Sequence, residues 1–409
     1  MSWSILALML YTLVQVAKPQ ELFSTLDSLR LGLVGAVLIV AAACAEGRVR
    51  NLRVILQSKQ TRCVLALLLF AAISVPAGVW VGGSLDYLLS GYLKVVFYFV
   101  ALLVIVRSPA DLRRMAWAFV LSSVILGLAA WLSYSAGIIE GSQLKGKGGL
   151  KVEDGVERVE VTGTYSANEL ALVLVCAMPF AAVLFRDWGM SGRVLQFVSQ
   201  GFLAVVVVWT GSRTGFIVLT IVGLLVVIRS TRVGTGGAVL GVLVVAVLVL
   251  SVASSAYWDR LGSAFNPTTH YEETFSGRVD IWKRGFSLII ARPLFGVGIG
   301  NFGMADEMIN QQRAGRSAHN SFIEIWAELG VGGLVICCLL LWTSVKRVRR
   351  VALLHPNRWV GECAVATEIS LVGLIIGGLA NSMQYSPVLY FLVAMTVLAA
   401  RIAGPGRNG

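Results

Sequence analysis

The side chains best placed for chemistry are Arg213, Arg278, Arg284, Arg292, His319, Asn320 and Asn168. Arg213 lies in Gly211-Ser212-Arg213-Thr214-Gly215, a very short connection between two apolar runs. Its guanidinium must therefore sit at a membrane edge or slightly inside one. An arginine there costs at least a few kcal/mol unless it is paired, hydrated or snorkelling. It either serves a ligand or simply snorkels to the interface. Arg278, Lys283 and Arg284 lie off an apolar stripe, Val279, Trp282, Phe286, Ile289 and Ile290, repeated at helical spacing. This reads as an amphipathic helix over 276–292, lying on a bilayer surface and stopped by Pro293 after Arg292. A guanidinium fork grips phosphate through two parallel hydrogen bonds, so such arginines suit a lipid-linked phosphate or, failing that, ordinary lipid headgroups.

His319 stands in Ala318-His319-Asn320-Ser321-Phe322-Ile323-Glu324, at the start of an apolar run. Ser321 and Glu324 have capping-box spacing, which predicts a helix start here. The positive end of that helix favours a neutral imidazole, able to accept a proton from a hydroxyl nucleophile, and the same end can hold an anion. A purely structural histidine is the alternative. Asn168 and Glu169, in Thr162-Gly163-Thr164-Tyr165-Ser166-Ala167-Asn168-Glu169, either bind sugar hydroxyls or cap the helix that follows. Lys94 and Glu328 lie deeper in apolar runs, which implies a hydrophilic cavity or a mutual pair. Gly296-Val297-Gly298-Ile299-Gly300-Asn301 follows no strand of a βαβ unit, so it reads as a tight turn returning the chain to the membrane rather than a dinucleotide loop. No His, Cys or Asp cluster has metal-ligand spacing and no phosphate-binding loop motif occurs, so neither a metal nor a nucleotide cofactor is expected.

These residues must be held by a membrane body. Of the 409 residues, 57% are apolar and 14% charged, with a mean hydropathy of +0.79. A soluble protein averages about 25% charged residues. A membrane-crossing helix needs roughly 20 mostly apolar residues. The pattern predicts an all-α polytopic protein of about twelve spans, near 3–17, 30–46, 63–79, 85–106, 114–136, 167–185, 194–210, 213–229, 236–256, 319–343, 362–383 and 387–402. The first apolar run begins at Trp3 without a small-residue cleavage site and reads as an uncleaved span. The six cysteines have neither metal nor disulfide-framework spacing and read as small buried hydrophobes.

Charge placement sets the expected topology. Basic residues cluster in alternate short connections: Arg48, Arg50, Arg53, Lys59 and Arg62, then Arg107, Arg113 and Arg114, then Arg186 and Arg193, then Arg229 and Arg232. Lys346, Arg347, Arg349, Arg350 and Arg358 follow, and Arg401 and Arg407 end the chain, whereas the short connections 80–84 and 384–386 have none. The positive-inside rule then predicts both termini cytoplasmic. It also accounts for the net charge of +12 without nucleic acid as a partner. Segments 137–166 and 257–318 become periplasmic loops, the second large and carrying the amphipathic helix. They read as caps on a single membrane domain, 1–409, because neither has the apolar content for a large core of its own.

The stretches GSRTG, GRVDIWKRGF, RPLFGVGIGNF and AHNSFIEIWAELGVGGL together resemble the O-antigen ligase and O-antigen polymerase superfamily over residues 200–345, with TGTYSANELA a looser match upstream. The resemblance implies a metal- and nucleotide-independent inverting glycosyltransferase at the periplasmic face of the inner membrane. Its donor would be a glycan on undecaprenyl diphosphate. Its acceptor would be a lipid A–core hydroxyl in a ligase, or the next lipid-linked repeat in an O-antigen or exopolysaccharide polymerase. By motif, Arg213 and Arg278 would bind the diphosphate and His319 would activate or position the acceptor. Arg284 and Arg292 are secondary candidates, with Asn320 and Asn168 beside them. A lipid-linked glycan transporter is the alternative from another class, but transporters keep their sites near the midplane within paired repeats, and no repeat is visible. A structural protein of an envelope-assembly complex is the third reading, and it would not need Arg213, Arg278 and His319 on a common side.

Overall fold

A backbone in hydrocarbon has no water to bond, and a helix satisfies its own N–H and C=O groups, so the apolar runs fold as helices. The computed structural model describes residues 2–22, 26, 28–51, 55–136, 149–153, 156–160, 165–229, 275–310, 317–355 and 359–404. The main elements are α1 (Trp3–Val16), α2 (Leu31–Ala45), α3 (Lys59–Ala77), α4 (Val81–Ile105) and α5 (Pro109–Ala136). A hairpin of β1 (Gly149–Glu153) and β2 (Val156–Glu160) follows, then α6 (Ala167–Leu184), α7 (Gly189–Trp209) and α8 (Arg213–Arg229). Beyond the undescribed 230–274 come α9 (Phe275–Ala291), α10 (Phe302–Asn310), α11 (Ser321–Leu354), α12 (Trp359–Gly378) and α13 (Pro387–Ala403).

The chain is helical as expected, with one short exception. Segment 137–166 contains the antiparallel β1–β2 hairpin, with Gly149 opposite Glu160 and Glu153 opposite Val156. In Gly149–Glu153, Leu150 and Val152 alternate with Lys151 and Glu153, a period-two pattern that suits a strand.

Every expected span except 236–256, which lies outside the described residues, coincides with a helix. Among the described residues, seven of these helices are long and apolar enough to cross a membrane, and α1, α2 and α13 are shorter apolar ones. With its 14 residues, α1 extends only about 21 Å, short of a hydrocarbon core of roughly 30 Å. A count of twelve therefore does not follow from helix length.

The core runs through α6, α12 and α13, whose apolar residues are buried almost throughout. Glycines let helices approach closely. A Cβ at Gly215 would meet the Ala171 Cβ at 2.5 Å, and one at Gly373 would meet the Val222 side chain at 2.6 Å. Close packing of this kind drives helix association where lipid removes the hydrophobic incentive. The outer flank of α2 stays exposed at Leu33, Val34, Val37, Leu38 and Val40, as a lipid-facing surface would.

The two ends of the bundle differ. At one, Ser4 donates from both N–H and Oγ to Glu46 (3.1 and 2.6 Å), and Arg48 donates to the Ile105 carbonyl (2.7 Å). Arg107 reaches the Arg48 carbonyl, Arg401 the Leu103 carbonyl (2.8 Å), Arg347 the Gln60 amide oxygen (2.8 Å) and Arg113 the Asp187 carboxylate (3.3 Å). Arg186 pairs with Glu362. These bonds gather the basic connections, together with the start of α1 and the end of α13.

The opposite end is built around a break in α11. Gly330 has φ 72° and ψ −173°, which interrupts the helix. The segment 293–301 lies along the break and takes up the exposed backbone groups. Val297 N–H donates to the Ala327 carbonyl (2.8 Å), Gly298 N–H to that of Glu328 (3.1 Å), and Val331 N–H to that of Pro293 (3.0 Å). Gly296, Gly298 and Gly300 all have positive φ, and a Cβ on Gly296 would collide with the Glu328 backbone. The expected tight turn is thus an inserted strap that completes the hydrogen bonding of a broken helix. Ile281, Leu288, Ile289, Val297, Phe302, Ala305, Ala318, Ile323 and Ala327 form a small separate apolar cluster beneath α9 and α10.

Candidate functional site at the end of the bundle opposite the basic connections

A chain of contacts brings the predicted residues to one end. Gly215, in the first turn of α8 after Arg213, packs on Ala171 of α6, one turn beyond Asn168. Leu172 packs on Gly377 of α12, and Gly378 approaches the Ser321 hydroxyl at the start of α11. Trp282 of α9, one turn beyond Arg278, donates its indole N–H to the Ala318 carbonyl (3.2 Å), immediately before His319. Arg213, Asn168, Arg278, His319 and Asn320 thus share the polar end, and all but the buried Asn320 are half-buried.

Local structure explains each position. Ser212 starts α8: its Oγ accepts from Gly215 N–H (3.0 Å) and its carbonyl from Phe216 N–H (2.9 Å), so Arg213 opens the helix. Ser166 and Glu169 form a complete capping box at the start of α6, which gives Glu169 a structural task. The corresponding expectation for α11 is corrected. Its cap is Asn320, whose Oδ1 accepts from Phe322 and Ile323 N–H at 3.0 and 3.1 Å. Ser321 instead donates to the Asn381 carbonyl (2.7 Å) and accepts from Met383 N–H (2.8 Å). An amide side chain at 320 reaches both free N–H groups, and its Nδ2 also ties α11 to the Leu379 carbonyl (3.0 Å). Asn320 is therefore engaged in structure on both sides.

His319 has φ +48°, a left-handed conformation. For a non-glycine residue this costs roughly 1–2 kcal/mol. Its Nδ1 lies 3.5 Å from the Ser317 hydroxyl. Strain of this kind persists only where the surroundings impose it, and it concentrates at functional sites.

Arg284 and Arg292 fasten neighbouring elements. Arg284 Nε donates to both carboxylate oxygens of Asp306 at 3.1 Å, bracing α9 against α10. Arg292, exposed, donates to the Ala77 carbonyl (3.1 Å) at the end of α3, where a cation offsets the helix dipole. The stripe on α9 also divides differently from its helical spacing. Ile281, Leu288 and Ile289 are buried, whereas Phe286 and Ile290 are exposed, the latter at 78%, beside exposed Leu294 and Phe295. Packing against α11 takes one face of the helix and leaves a second apolar face outward.

Acids and neutral donors from the connection between α12 and α13 complete this end. Glu324 accepts from Ala318 N–H (2.8 Å), from the Ser382 hydroxyl and from Gln384 Nε2 (2.9 Å). Glu328, one turn deeper, accepts from the Tyr385 hydroxyl (2.9 Å) and Phe302 N–H (3.3 Å). Glu328 thus does not pair with Lys94, which is exposed on α4. Spacing along the chain had not singled out Ser382, Gln384 or Tyr385 for a site. The available signal was a polar run, Asn381-Ser382-Met383-Gln384-Tyr385, in a short connection between apolar segments. Among the described residues, no group of three or more His, Cys, Asp or Glu side chains is placed to hold a metal ion.

Together the apolar helices mark a multi-pass membrane protein, with the candidate residues at one end of its bundle. Residues 199–338 match the family described as O-Antigen ligase, which supports the O-antigen ligase and polymerase superfamily. The match takes in Arg213, Arg278, Arg284, Arg292, His319 and Asn320, while Asn168 precedes it. No curated protein matches the chain.

Proposed function

We propose that the protein is an O-antigen ligase-like glycosyltransferase of the bacterial inner membrane. It transfers a glycan from undecaprenyl diphosphate to a hydroxyl of the lipid A–core at the periplasmic face. The observation that carries this reading is the shared placement of Arg213, Arg278 and His319 at the end opposite the basic connections, inside the region that matches the ligase family. By the positive-inside rule the basic end, with both chain ends, is cytoplasmic, and the polar end is then periplasmic.

The acceptor oxygen attacks the anomeric carbon as its proton passes to the neutral imidazole of His319. The bond from that carbon to the diphosphate oxygen breaks, and undecaprenyl diphosphate leaves with the electron pair. Attack opposite the leaving group inverts the configuration. Arg213 and Arg278 stabilise the charge that develops on the diphosphate, as fixed cations do at a partly desolvated site. The diphosphate is already a good leaving group, so the step needs no nucleotide and no metal.

The test is the full chain reconstituted in liposomes with a polyprenyl-diphosphate glycan and two competing acceptors, lipid A–core and a lipid-linked repeat. Glycan on lipid A–core is the expected product, undiminished by EDTA. A lengthened lipid-linked chain would instead assign polymerase activity. Transfer to neither acceptor would sink the proposal.

A further inference from the structure

We propose that Glu324 is a positioning residue for His319, tying the connection between α12 and α13 to the backbone that presents the imidazole. The inference rests on the role given to His319 above. The left-handed φ of His319 must be imposed from outside, and the flanking peptides show how. After it, Asn320 caps α11 and reaches the Leu379 carbonyl. Before it, the Ala318 carbonyl takes the Trp282 indole N–H and the Ala318 N–H is held by Glu324 at 2.8 Å.

The bond from Glu324 is not a capping bond. A capping box would return to the N–H of the cap residue, here Asn320. Glu324 instead reaches past it to Ala318, on the far side of His319. The carboxylate is only 8% exposed, and among the described residues it makes no ion pair. Its partners are an amide N–H, a hydroxyl and a side-chain amide, all donors. An ionised carboxylate is acceptor-only and satisfies all three, whereas a glutamine would turn its own NH2 towards at least one of them. The site is therefore built for an acid whose two oxygens join Ala318 to Ser382 and Gln384. Releasing it lets the 317–320 backbone relax and rotates the imidazole away from the acceptor hydroxyl, while leaving the arginines in place.

The test uses the full chain in the liposome assay. E324Q is expected to lower turnover about 100-fold, the scale of an ångström-sized misplacement, with the donor KM moving less than about threefold. Placed on His319→Ala, E324Q should cause no further loss in the residual rate, because the two act through one group. A purely structural role would cost activity in both backgrounds. Gln384→Ala, which keeps the acid but removes one of its anchors, should show the same signature at about tenfold and covers the case of E324Q failing to insert. Turnover of E324Q within threefold of the parent, an equal loss on the His319→Ala background, or unchanged turnover in Gln384→Ala overturns the inference. A slow His319→Ala enzyme beside an active E324Q sinks this inference alone, while a fully active His319→Ala enzyme sinks the role of His319 and this inference with it.

Discussion

The two ends of the bundle handle charge in opposite ways. At the basic end, Arg48, Arg107, Arg347 and Arg401 donate to carbonyls or an amide oxygen at helix ends, and Arg113 and Arg186 pair with Asp187 and Glu362. Their charge fastens the chain. At the polar end, the buried acids Glu324 and Glu328 are satisfied by neutral donors, and a histidine is held in a strained conformation beside them. Among the described residues, cations there stand on α8, on α9 and just beyond its end, where Arg284 holds Asp306 and Arg292 the Ala77 carbonyl. The basic end holds its cations on carbonyls and carboxylates, and the polar end, where the proposed chemistry is placed, also holds a strained histidine.

The largest effects that could break this contrast are at His319, Arg213 and Arg278. Replacing any of them by Ala should lower glycan transfer by 100-fold or more, the usual scale for losing a general base or a charge-stabilising donor. The variants should still insert and melt near the parent temperature. Full transfer by His319→Ala would remove the base.

The strap comes next. Gly296→Ala and Gly330→Ala each force a side chain into left-handed backbone, and a Cβ at Gly330 would strike the Leu294 carbonyl. A loss of about 2–4 kcal/mol in stability is expected, read as a clear fall in melting temperature. Parental melting would show that the strap is not needed to complete α11. Arg284→Ala removes the guanidinium that meets both carboxylate oxygens of Asp306, itself 2% exposed. It should destabilise by about 1–3 kcal/mol and lower activity only in step with folded protein. A fall in turnover at constant folded fraction would instead return Arg284 to the substrate site.

The smallest effect belongs to the basic end. Burial opposes ionisation of Glu46, but hydrogen bonds from Ser4 and Arg48 and the Arg48 charge outweigh it and hold the carboxyl at about 2, below its ordinary 4.5. A depressed carboxyl stabilises the fold fully above its unfolded value, and the contribution fades as pH falls from about 4.5 towards 2. Glu46→Gln should therefore narrow the acid limb of the melting profile while leaving transfer at neutral pH unchanged. An identical acid limb would dismiss the clasp as a stabilising contact.

Much of the molecule was legible before folding. Apolar length marks helices because hydrocarbon forces the backbone to bond itself, and each expected span in the described residues coincides with a helix. The position of Arg213 between two apolar runs, and of His319 at a helix start, follows from the chain alone. Asn320 in place of Ser321 as the cap was not legible, since both side chains suit the position and only the pull of Asn381 and Met383 on Ser321 decides between them. The outward face of α9 was equally hidden, because periodicity finds an apolar stripe but not which neighbour covers it. The tasks of Glu324 and Glu328 depend on a connection about 60 residues away in sequence. Composition and order alone determine that this protein lives in a membrane, where its helices fall and which connections are basic. Only the tertiary structure decides which acids meet which donors and how His319 is held, because those choices depend on close packing between segments remote in the chain.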